Sequence, residues 1–308
     1  MCGSLLWMAS CGIISRNSSS RGSGEEPLPA AEKPATAPFE RELPLTSPRT
    51  LKYANLQYTV TKAVISNRAA ADLPIDNSNS AVADITFSVV NTLKDAVRIE
   101  SGLWELRLGD GSVYKKPYSE NFDPRDTKER KISFRVPPNA QWNGAQLTLD
   151  EQNKEPALLS LDGNGLMPQY PIQLATGGQT STKEPQMIYT IQNASVDLDA
   201  FGERAELGKH YLNLTIHVAD KEAGDNGEFL PEFFRLLVDG VPLLPKATSD
   251  NFTVAAQSSQ DYTMAYLIPA TAASIELEVG KPEVQTTAKI PIDLKKEMPQ
   301  GFQQVKVK

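Results

Sequence analysis

The sequence predicts an all-β protein in which two tandem β-sandwich domains follow a disordered tether. Three observations lead to this prediction. Short segments alternate between apolar and polar residues from residue 51 onward, the order of those segments occurs twice, and the stretch before them is rich in Ser, Gly and Pro. Alternation with a period of two is the pattern of half-buried strands, and no segment has a convincing helical period.

The tether is predicted from composition. The segment "RNSSSRGSGEEPLPAAEKPATAPFERELPLTSP" (16–48) combines Ser, Gly and repeated Pro with scattered charges. Such a stretch buries too little apolar surface to offset the entropy of an ordered chain, and its prolines favour an extended spacer. We therefore expect a disordered connection ahead of the folded part.

The strands of the first domain are predicted from alternation. In "DITFSVV" (84–90), Ile85, Phe87 and Val89 lie on one face and the intervening polar residues on the other. The segment "GDGS" (109–112) predicts a hairpin turn, because Asp-Gly tolerates positive φ. Trp104 is in phase with the apolar residues of "WELRL", so we expect it in the core.

An internal repeat predicts the second domain. "LQYTVTKAVIS" (56–66) is matched by "MIYTIQNASVD" (187–197), and "SENF" (119–122) is matched by "SDNF" (249–252). The matched segments keep their order. Phe122 and Phe252 occupy matching positions, and we expect each to close one end of its sandwich as a structural residue. The predicted organisation is a signal-like segment at 1–10, a tether at 11–49, a first sandwich at 50–162, a linker at 163–185, a second sandwich at 186–294 and a tail at 295–308.

The strand count favours immunoglobulin-like sandwiches. Each copy has roughly seven strands in about 110 residues, which is the size of that fold, and a closed barrel is the alternative. Cys2 and Cys11 are the only cysteines and both precede the repeats. No disulfide or cysteine-based zinc site is therefore expected in either copy.

Charge and hydropathy exclude two classes of function. The formal net charge is -7, which argues against a nucleic-acid-binding protein, since such proteins carry a basic stripe. No run approaches the roughly 20 apolar residues of a membrane-spanning helix.

Motifs of catalysis are absent from the sequence. His210 and His217 are the only histidines, and both lie in the second copy, so no histidine-dependent triad is common to the two repeats. We expect His217 on a polar strand face and His210 in the turn "LGKHY". No phosphate loop or dinucleotide fingerprint occurs, and we predict no catalytic residue, no cofactor and no metal site. The acidic loops at 72–80, 123–126 and 220–228 leave a weak calcium alternative, although turns need the same residues.

Trp142 is the candidate partner-binding residue. It lies in the turn-like segment "PPNAQWNGAQ", whereas the second copy has only "PATAAS" at this place. An exposed loop Trp can anchor a protein partner or stack on a sugar. The alternative is a Trp folded over the edge of its own domain.

The amino-terminal segment points to membrane attachment. An apolar stretch ends in Met8, Ala9 and Ser10 and is followed directly by Cys11. This resembles the lipobox of bacterial lipoproteins, in which small residues precede the cysteine that is lipidated. The resemblance implies cleavage before Cys11, a lipid on its sulfur, and an extracytoplasmic location on a bacterial membrane.

The strand pattern is also similar to the telokin-like, immunoglobulin-type domains of unknown function found on bacterial lipoproteins. That resemblance implies no catalytic residues. The expected function is a non-catalytic, lipid-anchored cell-envelope protein whose sandwiches bind a protein or glycan. A structural subunit of an envelope complex is the alternative, and a hydrolase with a carboxylate site is the remote one.

Overall fold

The computed structural model describes residues 39–45, 50–68, 79–162, 170–175, 177–182, 186–222, 227–228, 231–249, 253–280 and 288–292. Cys11 and Phe252, together with the predicted tail, lie outside these residues. Within them the chain is all-β, with no α-helix and a single short 3-10 turn at Pro231–Phe233. No helix of this part is long and apolar enough to cross a membrane.

The strands fall into two groups along the chain. The N-terminal group consists of β1 (Glu40–Glu42), β2 (Thr50–Tyr53), β3 (Leu56–Ser66), β4 (Ala81–Asn91), β5 (Val97–Arg107), β6 (Val113–Phe122), β7 (Thr127–Val136), β8 (Gln146–Glu151) and β9 (Ala157–Ser160). The C-terminal group consists of β10 (Ile172–Gln173), β11 (Gln179–Ser181), β12 (Met187–Asp197), β13 (Asp199–Ala200), β14 (Glu203–Arg204), β15 (Lys209–Asp220), β16 (Gly227–Glu228), β17 (Phe234–Val238), β18 (Val241–Leu243), β19 (Ala247–Thr248), β20 (Thr253–Val254), β21 (Ser259–Pro269), β22 (Ile275–Val279) and β23 (Ala288–Ile292).

The N-terminal group forms two antiparallel sheets that share one core. One sheet has the order β1-β3-β4-β7, with β2 also pairing with β3, and the other has the order β6-β5-β8-β9. The rings of Phe87 and Trp104, one from each sheet, stack with centroids 5.1 Å apart, and Tyr58 meets Trp104 edge-on at 5.5 Å. The arrangement is sandwich-like, and Trp104 is a core residue as predicted.

The C-terminal group repeats this pairing scheme. One sheet has the order β10-β12-β15-β21-β19, with β11 also pairing with β12, and the other has the order β18-β17-β22-β23. The pairs β13-β14 and β16-β20 form two small further sheets. A second core of Ile, Leu, Val, Met and aromatic side chains fills the space between the larger sheets.

The register of the strands repeats as well. In β3 the pairing with β4 shifts between Val60 and Lys62, and in β12 the pairing with β15 shifts between Ile191 and Asn193. The two shifts lie 131 residues apart (191 − 60), which is the offset of the sequence repeat. A β-bulge is therefore present at the same place in both groups, where it bends the strand and increases its twist.

The predicted tether was wrong at its C-terminal end. Strand β1 pairs with Ser66, Ile65 and Val64 of β3 through its backbone, although its own side chains are exposed. Leu43 is buried in the first core and Phe39 packs against it. The apolar side chains of Phe39 and Leu43, on either side of the charged β1, hold the segment in place. The pairing itself is made by the backbone, so amino-acid composition does not predict it.

Candidate functional site

Neither predicted site residue forms a site in the described part of the chain. Cys11 lies outside the described residues, so its lipidation stays a prediction. Trp142 is 8% exposed and belongs to the first core, which agrees with the alternative of a Trp packed against its own strands and not with an exposed indole. Its Nε1 is buried and has no hydrogen-bond partner among the residues that the structure describes.

The two histidines have separate environments. His217 lies on the polar face of β15, as predicted, and its Nδ1 is 2.7 Å from Oδ1 of Asp261. His210 was expected in a turn, but it lies in the same strand and is buried. Among the described residues, no three His, Cys, Asp or Glu come together in a way that could hold a metal ion.

The junction between the two strand groups is where charged side chains are brought together. Lys52 in β2 approaches Asp197 at the end of β12, with Nζ and Oδ2 2.5 Å apart. Arg204 in β14 pairs with Glu151 at the end of β8, and both side chains are largely buried. The Arg204 guanidinium also lies over the ring of Tyr53, 5.3 Å from its centroid. We call this set of contacts the seam.

Asp199 is the most buried carboxylate of the seam. It accepts hydrogen bonds from the backbone N–H of Ala54 at 3.0 Å and of Asn55 at 3.3 Å. These two residues form the β2–β3 turn and have positive φ values of 54° and 59°, so the carboxylate holds a turn that non-glycine residues disfavour. Burial, and secondarily the charge of Asp197, raises the pKa of Asp199 to about 7.

The third part of the seam is a hydrogen-bonded group of neutral side chains. The Tyr170 hydroxyl and Nε2 of His210 share a hydrogen bond at 3.0 Å. Burial lowers the pKa of His210 to about 4, so the ring is neutral at physiological pH. The Glu155 carboxylate, 4.0 Å from Nε2, therefore does not form an ion pair with His210; it accepts a hydrogen bond from the backbone N–H of Gly208 at 2.7 Å instead.

Backbone contacts and apolar packing complete the seam. The N–H of Glu155 donates to the carbonyl of Ala205 at 3.0 Å, and the N–H of Leu207 donates to the carbonyl of Asn153 at 3.1 Å. Leu198, which follows β12, is buried in the core of the N-terminal group, and Tyr170 packs against both cores. Segment 197–208 therefore contacts the N-terminal group through ion pairs, backbone hydrogen bonds and apolar packing.

A groove of about 680 Å³ lies beside the seam on the N-terminal group. It opens where β5 shifts register against β6 between Ile99 and Gly102. A Cβ on Gly102 would lie 2.8 Å from Cγ2 of Ile99 and 3.1 Å from the carbonyl oxygen of Tyr118, so any other residue there would force its neighbours to move. The groove is lined by Glu100, Ser101, Gly102, Leu103, Pro117, Tyr118, Ser119, Asp150, Glu151 and Gln152.

The lining combines carboxylates and hydroxyls with an apolar floor. Leu103 and Asp150 alternate with buried Trp104 and Leu149 along their strands, so they face away from the core. Partial burial raises the pKa of Asp150. Glu151 lines the groove and also pairs with Arg204, so the groove and the seam are continuous. Such a surface suits a ligand with hydrogen-bond donors or a cationic group beside an apolar part.

The seam and the groove were not predicted from the sequence. In the structure Asp197 ends β12, Asp199 begins β13, and both side chains are buried. A buried carboxylate needs a partner, but the sequence does not say that the partners are Lys52 and the β2–β3 turn.

The chain has no match among known proteins in two comparisons. Neither a model of a known protein family nor a curated protein matches it.

Proposed function

We propose that the chain is a non-catalytic binding protein of a bacterial cell envelope, anchored to a membrane by a lipid on Cys11. The two strand groups are two copies of one immunoglobulin-like sandwich domain, at 50–162 and 186–294, joined through the seam. The groove beside the seam binds a protein or glycan partner. The repeated pairing order and the shared bulge position support the duplication.

The observation that carries this proposal is the groove with its mixed lining. Asp150 and Glu100 supply acceptors, Ser101 and Ser119 supply hydroxyls, and Leu103 contributes apolar surface. Protein side chains and sugars both present donors next to apolar patches, which is what these residues can contact. The lipobox-like segment before Cys11 supports the location.

The test is retention of envelope components and cell-wall glycans on the immobilised full chain. The double variant Glu100→Gln with Asp150→Asn removes two of the three carboxylates that line the groove and leaves Glu151, which pairs with Arg204. Its matched control, Glu129→Gln with Asp95→Asn, removes the same charges from exposed positions elsewhere on the N-terminal group. We expect the wild type and the control to retain one component in stoichiometric amount and the groove variant to lose it. Equal retention by all three proteins, or none, contradicts the proposal.

A hydrolase is the second candidate, because the groove contains a carboxyl group with a raised pKa, and such groups cluster at catalytic sites. The other two carboxylates of the groove are poorly placed to act as a second catalytic group. Glu151 is engaged by Arg204, and Glu100 is 68% exposed and lies 3.4 Å from Arg98. Release of reducing sugar from cell-wall glycans, abolished by Asp150→Asn, would favour the hydrolase.

An assembly subunit remains the other alternative. Strand β7 pairs with β4 on one side and with no other described strand, so its opposite edge is open to pairing with another chain. Retention of several envelope proteins in fixed ratio would favour assembly over recognition of a single ligand.

A further inference from the structure

Phe201 is an exposed aromatic residue at the tip of the β13–β14 hairpin. Its side chain is 51% exposed. Among the described residues, the other large apolar side chains with comparable or greater exposure are Leu207, Val241 and Leu244, so Phe201 is the aromatic one. Exposure of a single apolar residue is ordinary by itself, but the backbone conformation of Phe201 is not.

The backbone at Phe201 disfavours a phenylalanine. Phe201 and Gly202 have φ values of 49° and 83°, and the tip of the β17–β18 hairpin, Asp239 and Gly240, has φ values of 49° and 82°. The chain therefore uses Asp-Gly, a preferred pair for such turns, in one hairpin and Phe-Gly in the other. A bulky residue with φ in the left-handed region is an outlier that the surroundings must hold in place.

The hairpin is held by the seam. At its base Asp199 is bound to the β2–β3 turn, and the N–H of Ala205 donates to the carbonyl of Leu198 at 2.8 Å. Arg204, the other base residue, pairs with Glu151. Phe201 thus projects from a fixed base although its ring belongs to none of the apolar cores. A rigidly presented aromatic side chain loses little conformational entropy on binding.

We infer that Phe201 is the anchor residue for a protein partner that carries an apolar pocket with a basic rim. Leu207, in the next turn along the chain, is 62% exposed and adds apolar surface. Glu203 is exposed near them and its charge favours a basic rim and disfavours an anionic bilayer, whereas the charge of the exposed Glu206 is balanced by Lys209, whose Nζ lies 2.7 Å from its Oε2. This inference rests on the proposed binding function and adds a second contact to the groove.

The first test separates binding from packing. Phe201→Asn places a residue suited to positive φ at the tip, so we expect a melting temperature equal to the wild-type value or higher by about 2–4 °C. A clear decrease would show that the ring stabilises its own hairpin and would overturn the inference. Val241→Asn, at a residue of 60% exposure in β18, is the control.

The second test identifies the partner. A photo-reactive phenylalanine analogue replaces Phe201 or Val241 in the full chain, cross-linking is carried out in bacterial envelopes, and the product is identified by mass spectrometry. The identified protein is then purified and titrated with the wild type, Phe201→Asn and Val241→Asn. We expect a cross-link from position 201 only, and affinity at least about tenfold weaker for Phe201→Asn alone.

Several results would overturn the inference. These are no cross-link from position 201, equal affinities for all three proteins, self-association of the purified chain through position 201, or Phe201-dependent flotation with vesicles of phosphatidylethanolamine and phosphatidylglycerol. If Glu100→Gln with Asp150→Asn abolishes partner binding while Phe201→Asn does not, the proposed function stands and the role of Phe201 is refuted. If neither variant changes binding, both are refuted.

Discussion

Removing Arg204 tests whether the seam makes one cooperative unit of the two strand groups. Arg204→Ala leaves Glu151, whose side chain is 11% exposed, without its charged partner and removes the guanidinium from the ring of Tyr53. Breaking a fully buried pair costs about 3–5 kcal/mol, and the residual exposure here reduces the expected loss to about 2–4 kcal/mol. Because Arg204 and Glu151 belong to different groups, we expect the lost free energy to come mainly from the coupling between the two groups.

The assay compares two probes during urea unfolding. Both described tryptophans, Trp104 and Trp142, lie in the first core, so tryptophan fluorescence reports mainly on the N-terminal group, whereas far-ultraviolet circular dichroism reports on both groups. We expect coincident curves for the wild type and separated curves for Arg204→Ala.

The matched control is Arg235→Ala. Arg235 pairs with Glu278 inside one sheet of the C-terminal group, and its side chain is 16% exposed against 14% for Arg204. This variant should lower the stability of the C-terminal group while leaving the contacts between the two groups intact. Coincident curves for Arg204→Ala, with a loss below about 0.5 kcal/mol, would refute the coupling role of the seam.

The remaining predictions concern pH, packing and the groove. Because the pKa of Asp199 is raised to about 7, the folded state takes up this proton more readily than the unfolded state, so the carboxyl stabilises the fold as pH falls from about 7 towards 4. Asp199→Asn should therefore lose more stability on acidification from pH 7.5 to 5 than the wild type, as measured by urea unfolding; an unchanged pH slope would contradict this. The lowered pKa of His210 acts in the opposite direction, so stability is lost as pH falls from about 6.5 towards 4, and His210→Gln should reduce that loss in the same assay. Gly102→Ala should cost about 1–3 kcal/mol, whereas Ser101→Ala next to it should stay within about 0.5 kcal/mol, and equal values would argue against the close approach at β5. Trp142→Ala should cost about 3–5 kcal/mol in unfolding while leaving partner binding intact at temperatures where it is folded; loss of binding alone would restore Trp142 as a contact residue.

The sequence indicated the strands well because their signal is local. Alternation in "DITFSVV" placed Ile85, Phe87 and Val89 on the buried face, and all three are buried. The turn "GDGS" closes the β5–β6 hairpin, with the N–H of Leu108 donating to the carbonyl of Ser112 at 2.9 Å. These features follow from neighbouring residues and need no knowledge of distant parts of the chain.

The site was not predictable in the same way, because its contacts are non-local. Lys52 and Asp197 are 145 residues apart, and so are Ala54 and Asp199. The sequence repeat does not indicate the seam either, because the hydrogen bonds and the ion pair of segment 199–208 with the N-terminal group are made by residues outside the matched segments. For Trp142 the turn-like segment left both exposure and packing open, and tertiary packing covers the ring.

The amino terminus of the mature protein gives the most direct test of the central claim, that this is a membrane-held binding protein. Mass spectrometry of the chain purified from a bacterial membrane fraction should show that the first residue is Cys11 and that it carries a diacylglycerol. An intact Met1 with an unmodified Cys11 would contradict membrane attachment, and with it the proposed location of the partner.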